Sequence, residues 1–295
     1  MDWFWTFPHL DDDYLRMLRM SIDDSFRSLT RAYGDAIQQA FEPLRYLLLY
    51  AEWVLLNTPW AVVILAVAGL AWLASRRWPI VIGTVLTLLL IGYFDMWEDT
   101  MRTVAMILVC TLLSLVVGIP IGIIMAGSNR VQSVVNPILD IMQTMPSFVY
   151  LIPVVMLLGI GRVPGLIAVV VYAIPPIIRL TNLGIRLVDK EVLEAADAYG
   201  ASRWQKLRNV QLPLAMPTIM AGINQTIMMA LAMVVIASMI GVQGLGQPVL
   251  RAINNQYFTM GMFNGLAIVG IAIIFDRISQ AFGKRIQKHQ EHTHE

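Results

Sequence analysis

An all-α fold, a polytopic bundle of membrane-spanning helices, is predicted by three features of this sequence. Apolar residue types make up 57% of the 295 residues. Charged types make up only 14%, whereas soluble chains carry about 25%. Several uncharged stretches reach the roughly 20 residues that a spanning helix needs. Together these features exclude a simple soluble enzyme and a disordered chain, and a net charge of only +1 disfavours a nucleic-acid partner.

The uncharged stretches predict about seven spans, which form a transmembrane domain over 58–283 followed by a tail over 284–295. Glycine and proline recur within these stretches, as membrane helices tolerate. The predicted spans are 59–75, 79–95, 101–126, 140–160, 163–183, 214–241 and 260–282.

The distribution of basic residues predicts the orientation of the spans. Cytoplasmic loops of membrane proteins carry an excess of Lys and Arg. If the loop around 184–213 is cytoplasmic, thirteen Lys and Arg residues lie inside and three, Arg102, Arg162 and Arg251, lie outside. This asymmetry predicts a multi-pass protein whose C-terminus is in the cytoplasm.

Residues 1–57 are predicted to form an extension outside the spans. Apolar residues recur at spacings of three and four over 14–42, which is typical of an amphipathic helix. The stretch 44–56 is apolar but contains Arg45 and Glu52, which favours an interfacial segment rather than a span. An even number of spans would move the N-terminus to the cytoplasmic side, so its location stays open.

The polar segment 187–212, called the coupling loop below, lies between two predicted spans. Asp189 is placed to cap a short helix that begins at Lys190, and Gly200 fits the position just after the end of that helix. The helix is rich in alanine, and small side chains allow the surface of a partner to approach closely.

The coupling loop also carries a spaced motif. Glu194-Ala195-Ala196 is followed after three residues by Gly200, and after nine more by Val210, one further residue and Leu212-Pro213. This pattern resembles the EAA motif of ABC-importer membrane subunits, with Val210 where the family has Ile. In that family the segment is a coupling helix that docks into a groove of a cytoplasmic ATPase. The resemblance therefore implies an ATPase-coupling role for Glu194, Ala195, Ala196, Gly200, Val210, Leu212 and Pro213.

A narrower resemblance, over about 100–282, is to bacterial inner-membrane permeases for glycine betaine, proline betaine and choline. It implies a homodimer that couples closure of the ATPase to alternating access, and a separate periplasmic or lipid-anchored solute-binding protein. It also implies that ATP and Mg are bound by the ATPase, with no cofactor in this chain. It does not choose among the solutes. The residues that carry it are Met142–Tyr150, Ala173–Thr181, Gln211–Gln225, Val235–Gly241 and Gly244–Gly246.

Neutral polar and aromatic residues in the spans are candidates for the translocation pathway. Polar side chains are costly against lipid, so we expect them to face the bundle interior. A neutral polar wall suits a zwitterion, and an aromatic face can bind a quaternary ammonium group. Interhelical hydrogen bonding and packing remain the alternatives for each residue. The candidates are Gln143, Thr144, Phe148, Tyr150, Asn224, Gln225 and Ser238.

Two other classes of function are disfavoured by the residues. An ion-coupled secondary carrier for the same solutes would place acids or histidines inside the bundle. No histidine lies in a predicted span, and Asp140 and Asp276 lie near predicted helix ends. An enzyme or an ATPase would need a nucleophile triad, a metal-ligand cluster or a P-loop, and the sequence shows none of these patterns. We therefore expect a translocation subunit with no catalytic, ATPase or metal site of its own.

Overall fold

The fold is that of a computed structural model, which describes residues 10–291. Over these residues the chain consists of helices joined by short connections, with no β-strand. The predicted all-α helix bundle is therefore confirmed, and the first nine and last four residues lie outside the described range.

The N-terminal extension is a single 46-residue helix, α1 (Asp12–Asn57), which runs through Pro43. Its first half is largely exposed, as the amphipathic pattern predicts. Its second half differs from the predicted interfacial segment 44–56, because it packs against the bundle. Leu48 is 1% exposed within the main apolar core, and Glu52 is also buried.

Two apolar helices follow α1 and form a hairpin. They are α2 (Trp60–Ser75) and α3 (Trp78–Tyr93), joined at Arg76 and Arg77. Arg76 ends α2 in the left-handed conformation, with φ of 49°.

The next helices correspond to the predicted spans only in part. Helix α4 (Trp97–Gly127) is continuous, whereas the predicted span 140–160 is broken. Helix α5 (Asn129–Thr144) ends at Met145, and the chain turns by 110° into a 3-10 turn (Ser147–Tyr150) and α6 (Leu151–Leu158). The break has a local cause, because Pro146 disfavours helical backbone at the residue before it. Met145 accordingly has ψ of 133°.

The C-terminal half contains the coupling loop and the remaining long helices. Helices α7 (Arg162–Ala173) and α8 (Pro175–Arg186) meet at Ile174 and form one apolar span. The coupling loop contributes α9 (Lys190–Ala198), α10 (Arg203–Lys206) and a π-helical turn (Leu207–Gln211), which continues into α11 (Leu212–Ala237). A 3-10 turn (Ser238–Ile240), α12 (Gly246–Asn255) and α13 (Phe258–Glu291) complete the chain.

Among the described residues the structure contains four to six candidate spans, where the sequence predicts about seven. Four described helical segments are long and apolar enough to cross a membrane. Counting each of two bent helix pairs, α1 with α2 and α5 with α6, as one span raises the number to six. Helix α3 has 16 residues. At about 1.5 Å per residue it is shorter than the hydrocarbon core of about 30 Å. The four segments are Trp97–Gly127, Arg162–Arg186, Arg203–Ile240 and Phe258–Arg285.

Helix α8 lies between α4 and α11, and small residues permit this close packing. A Cβ atom added at Gly122 of α4 would lie 2.6 Å from the Cβ of Thr181 and 2.8 Å from the carbonyl oxygen of Ile178, both on α8. On the other side, a Cβ added at Gly222 of α11 would lie 3.0 Å from the Cβ of Leu180. Close backbone approach at glycine is a common way for membrane helices to associate. The helix that leads into the coupling loop is thus held on both sides.

Side-chain contacts define the two ends of the bundle. At one end, Arg285 of α13 donates to the carbonyl of Leu73 at 2.6 Å, and Arg186 donates to the carbonyl of Met125 at 2.9 Å. The coupling loop is at this end, because α8 leads into it. At the other end, the amide of Gly161 donates to the carbonyl of Ile240 at 2.9 Å. Arg162, one of the three basic residues predicted to lie outside, is at this second end.

Candidate coupling surface and translocation residues

The start of α9 has the cap that the sequence predicts. Asp189 is the N-cap residue, and its carboxylate accepts a hydrogen bond from the amide of Glu191 at 2.9 Å. Such a cap satisfies an amide that the helix itself leaves without a partner, and an acid at this position also complements the helix dipole. The first residue of the short helix is therefore fixed by local chemistry.

The end of α9 is set by Gly200, which has φ of +75°. The amide of Gly200 donates to the carbonyl of Asp197 at 2.9 Å, and the amide of Ala201 donates to that of Ala196 at 3.0 Å. These two bonds form a Schellman motif, in which glycine is the usual residue at the left-handed position. Gly200 of the EAA motif is thus required by the backbone conformation that ends the helix.

A second cap and an ion pair hold α9 against α10. Ser202 and Gln205 form a reciprocal capping box at the start of α10. The ammonium group of Lys206 lies 2.6 and 2.7 Å from the two carboxylate oxygens of Asp197. The two short helices therefore have a defined relative placement, although this partly exposed ion pair itself adds only about 0–1 kcal/mol.

The outer face of α9 is exposed and partly apolar. Val192, Ala195 and Tyr199 are spaced as i, i+3 and i+7, which places them on one side of the helix. Tyr199 is 94% exposed, and Trp204 of α10 is 66% exposed. Tyr and Trp often anchor protein–protein interfaces. These two aromatic residues, which the motif does not include, were missed by the sequence analysis, although their position beside Gly200 in a polar loop is a usable signal.

The EAA motif residues divide into two groups. Glu194 and Ala195 are exposed, and Ala196 is half-buried. Val210 and Leu212 are half-buried, and Leu212 packs against the core formed by α4, α5, α8 and α11. Pro213 is at the second position of α11, where a residue without an amide proton is accepted. The first group faces outward and the second joins the loop to the bundle.

Arg186 connects the start of the coupling loop to α4. Its Nη2 donates to the carbonyl of Met125 at 2.9 Å and its Nη1 to Asn129 Oδ1 at 2.7 Å. Its Nε donates to Asn182 Oδ1, one turn back on α8, at 3.0 Å. A planar guanidinium held at three positions restricts the rotation of α8 against α4. Arg186 therefore joins the C-terminal end of α8 to the C-terminal end of α4.

Four of the translocation candidates lie on the exposed surface of the single chain. Gln143, Thr144, Phe148 and Gln225 are exposed. Ser238 is buried, and its hydroxyl donates to the carbonyl of Val235 in its own helix at 2.5 Å.

Tyr150 is buried and belongs to the main core. Its hydroxyl donates to the carbonyl of Met142, across the break between α5 and the 3-10 turn. Its ring contacts that of Tyr172 edge-on, with ring centroids 5.8 Å apart. The edge-on contact and the hydroxyl bond favour packing of the broken segment over an open aromatic face for Tyr150.

Asn224 has the interhelical bonds that were the alternative to a pathway role. Its Nδ2 donates to Asp276 Oδ1 of α13 at 3.0 Å, and its Oδ1 accepts from the hydroxyl of Ser279. Gln280 also donates to Asp276 Oδ1, at 2.7 Å. Asp276 is half-buried and accepts hydrogen bonds from these two neutral donors where α11 meets α13.

The position expected for Asp140 is wrong. The predicted span 140–160 would place Asp140 at the start of a helix, but α5 begins at Asn129, so Asp140 is near the C-terminal end of the helix. Its carboxylate forms an ion pair with Arg179 of α8. The ion pair gives the Asp140 carboxylate a basic partner on α8.

Residues 118–288 match the family model of the binding-protein-dependent transport system inner membrane component. This match covers more than half of the chain, from the middle of α4 through the coupling loop to α13. The chain belongs to this family. It is accordingly a multi-pass component of a binding-protein-dependent transport system, and the family resemblance stated from the motifs is confirmed.

Curated members of the family share high identity with this chain. It is 52% identical over 237 residues to the glycine betaine/carnitine transport permease protein of Listeria monocytogenes, covering 79% of this chain and 84% of the relative. It is 48% identical over 242 residues to the glycine betaine/proline betaine transport system permease protein of Escherichia coli, covering 82% and 68%. It is 48% identical over 213 residues to the glycine betaine transport system permease protein of Bacillus subtilis, covering 72% and 75%.

Solved structures of the family fold also resemble the chain. Two inward-facing crystal forms of the MetNI methionine ABC transporter match with TM-scores of 0.57 and 0.55. Each match covers 62% of this chain and 92% of the other, at 21% and 22% identity. The chain thus shares the helix-bundle fold of the matching MetNI chains.

Proposed function

We propose that this chain is the translocation subunit of an ATP-driven importer for a quaternary ammonium or betaine-type solute such as glycine betaine, proline betaine or choline. Family membership supports the transport role. The names of three relatives at about 50% identity support the solute class. The same family membership disfavours the ion-coupled carrier that the sequence analysis kept as an alternative.

The observation that carries the proposal is the construction of the coupling loop. Helix α9 is capped at both ends, and none of its residues is buried by the bundle. The loop nevertheless continues directly into α8 and α11, the helices packed at the centre of the structure. A rigid helix with an exposed face containing Ala195 and Tyr199 is suited to dock on another protein and to transmit its movement.

The partner for this face is a cytoplasmic ABC ATPase, which would bind ATP and Mg. Closure of the ATPase pair would move α9, and the bonds of Arg186 would pass that movement to α4 and α8. A second copy of the chain would complete the pathway, since four of the translocation candidates are exposed on the single chain. A solute-binding protein would dock at the other end of the bundle. Such rigid-body switching between two states gives alternating access.

The charge distribution supports an orientation with the coupling loop and the C-terminus in the cytoplasm. Arg76, Arg77 and Arg285 are at the end of the bundle that carries the coupling loop, whereas Arg162 is at the opposite end. A cytoplasmic excess of basic residues is the usual pattern.

Reconstitution tests the proposal. The chain would be placed in liposomes with its ATPase and binding protein, and both ATP hydrolysis and glycine betaine uptake would be measured. We expect solute-dependent hydrolysis and uptake, both lost in Glu194→Lys and both kept in Glu42→Lys, an exposed charge reversal on α1. Uptake by the chain alone, driven by an ion gradient, would instead establish a secondary carrier.

A further inference from the structure

A basic groove lies where the α2–α3 turn meets the C-terminal half of α13. Its volume is about 570 Å³, and five basic side chains line it: Arg76, Arg77, Arg277, Lys284 and Arg285. No described Asp or Glu forms an ion pair with any of the five. The nearest acid in sequence, Asp276, already accepts bonds from Asn224 and Gln280. The groove thus concentrates positive charge that the chain itself does not neutralise.

The groove continues into an apolar one between α3 and α13. The second groove has a volume of about 410 Å³ and shares Arg77, Ile80 and Arg277 with the first. Away from these shared residues it is lined by small and apolar side chains, including Gly83, Thr87 and Ile273. A positively charged site at one end of an apolar groove matches the shape and chemistry of a phospholipid with an anionic headgroup.

The surroundings of the basic groove are those of a membrane–water interface. The rings of Trp72 and Trp78 flank the turn with centroids 4.5 Å apart, and Trp is enriched at this depth of a bilayer. Arg76 adopts φ of 49°, a left-handed conformation that is uncommon for a residue other than Gly or Asn. This conformation ends α2, and Arg76 is exposed where it lines the groove.

We propose that this paired groove binds one anionic phospholipid, with its phosphodiester headgroup among the five basic side chains and one acyl chain along α3 and α13. Basic pockets between membrane helices bind anionic headgroups in this way. Because Arg285 also donates to the carbonyl of Leu73, the lipid would join the α2–α3 hairpin to α13 beside an existing contact.

The test is lipid retention by the purified full-length chain, counted by native mass spectrometry after exchange into equal amounts of phosphatidylglycerol and phosphatidylcholine. We expect selective retention of phosphatidylglycerol. The triple variant Arg76→Gln/Arg77→Gln/Arg277→Gln should lower it by about 100-fold, since each basic residue near a headgroup contributes about a fivefold factor. Arg130→Gln, an exposed arginine outside the groove, should leave it unchanged.

A second variant tests the acyl groove without changing charge. A Cβ at Gly83 would meet no atom within 4 Å, so Gly83→Leu extends its side chain from an open position in the lining of the groove. Gly69→Leu is the matched control, because its Cβ also meets nothing and it lies outside the groove. We expect Gly83→Leu to lose the lipid and Gly69→Leu to keep it.

Four results would overturn the assignment. Unchanged retention in the triple variant would exclude the basic groove as the headgroup site. Unchanged lipid retention in Gly83→Leu would show that the site binds an anion and not an acyl chain. Displacement of the lipid by inorganic phosphate alone would lead to the same conclusion. Equal retention of both lipids together with lost ATPase docking in the triple variant would assign the groove to an acidic protein surface.

Discussion

Replacement of Gly200 tests the coupling helix through backbone conformation alone. Gly200 has φ of +75°, and a Cβ atom built there would meet nothing within 4 Å. Any effect of a new side chain therefore comes from the left-handed backbone, which costs about 1–2 kcal/mol for an ordinary residue. Asn tolerates this conformation, whereas β-branched Val does not. The end of α9 should thus be kept in Gly200→Asn, weakened in Gly200→Ala and lost in Gly200→Val.

The expected effect on function follows from this cost. A penalty of about 1–2 kcal/mol lowers the ratio of the correctly ended helix to its alternatives by about 5- to 30-fold. We expect solute-stimulated ATP hydrolysis in proteoliposomes to fall in the order Asn, Ala, Val, with protein abundance in the membrane unchanged. Gly127→Val is the matched control, because a Cβ there also meets nothing and the backbone of Gly127 is not left-handed.

Two outcomes would refute this reasoning. Full activity of Gly200→Val would show that the ending of α9 does not matter for coupling. Equal losses in Gly200→Asn and Gly200→Val would show that the limit is space for the partner rather than the conformation of this backbone.

Three further substitutions, two of them paired with a control substitution, are checked by the thermal unfolding midpoint in detergent. Gly122→Ala should lower stability by about 1–3 kcal/mol through overpacking against α8. Its control, Gly69→Ala, has open space around its Cβ and should raise stability by about 0.5–1 kcal/mol. Equal shifts of the midpoint in the two variants would contradict the close packing of α8 against α4. Glu52→Ala removes the carboxylate 2.8 Å from Arg162 and should lower the stability by about 1–3 kcal/mol. Its control, Glu98→Ala, breaks an exposed ion pair with Arg102 and should lower the stability by less than about 1 kcal/mol. Asn224→Leu should lower the midpoint with an unchanged KM for solute, because it removes a donor to Asp276; a changed KM at unchanged stability would place Asn224 in the pathway.

The start and end of α9 could be predicted from sequence, because they depend on local chemistry. Helix α10, the π-helical turn and the exposed rings of Tyr199 and Trp204 were not predicted. The N-cap at Asp189 and the left-handed Gly200 depend on residues within one or two turns. The break at Pro146 is equally local, but it was not predicted, because the apolar character of 140–160 suggested one continuous span.

The parts that the sequence did not reveal depend on distant partners. Glu52 makes the stretch 44–56 look interfacial, but its partner Arg162 is 110 positions away. Arg162 also donates to Gln243, so three separate segments meet at this point. Likewise, Asn224 carries the same polar signal whether it faces a solute or Asp276. One sequence does not distinguish these alternatives, because the signal is the polarity of the residue and not the identity of its partner.

The docking of the ATPase on α9 is tested most directly by protection of a single thiol. Cys110 is the only cysteine in the sequence and is fully buried, so a cysteine introduced at exposed Ala195 is the one accessible to a maleimide. We predict that adding the ATPase slows labelling of Ala195→Cys by about tenfold or more, as expected for a site in a fully desolvated interface. Labelling of Ser133→Cys, an exposed position on α5, should keep its rate. Equal labelling rates of Ala195→Cys with and without a bound ATPase would contradict the account.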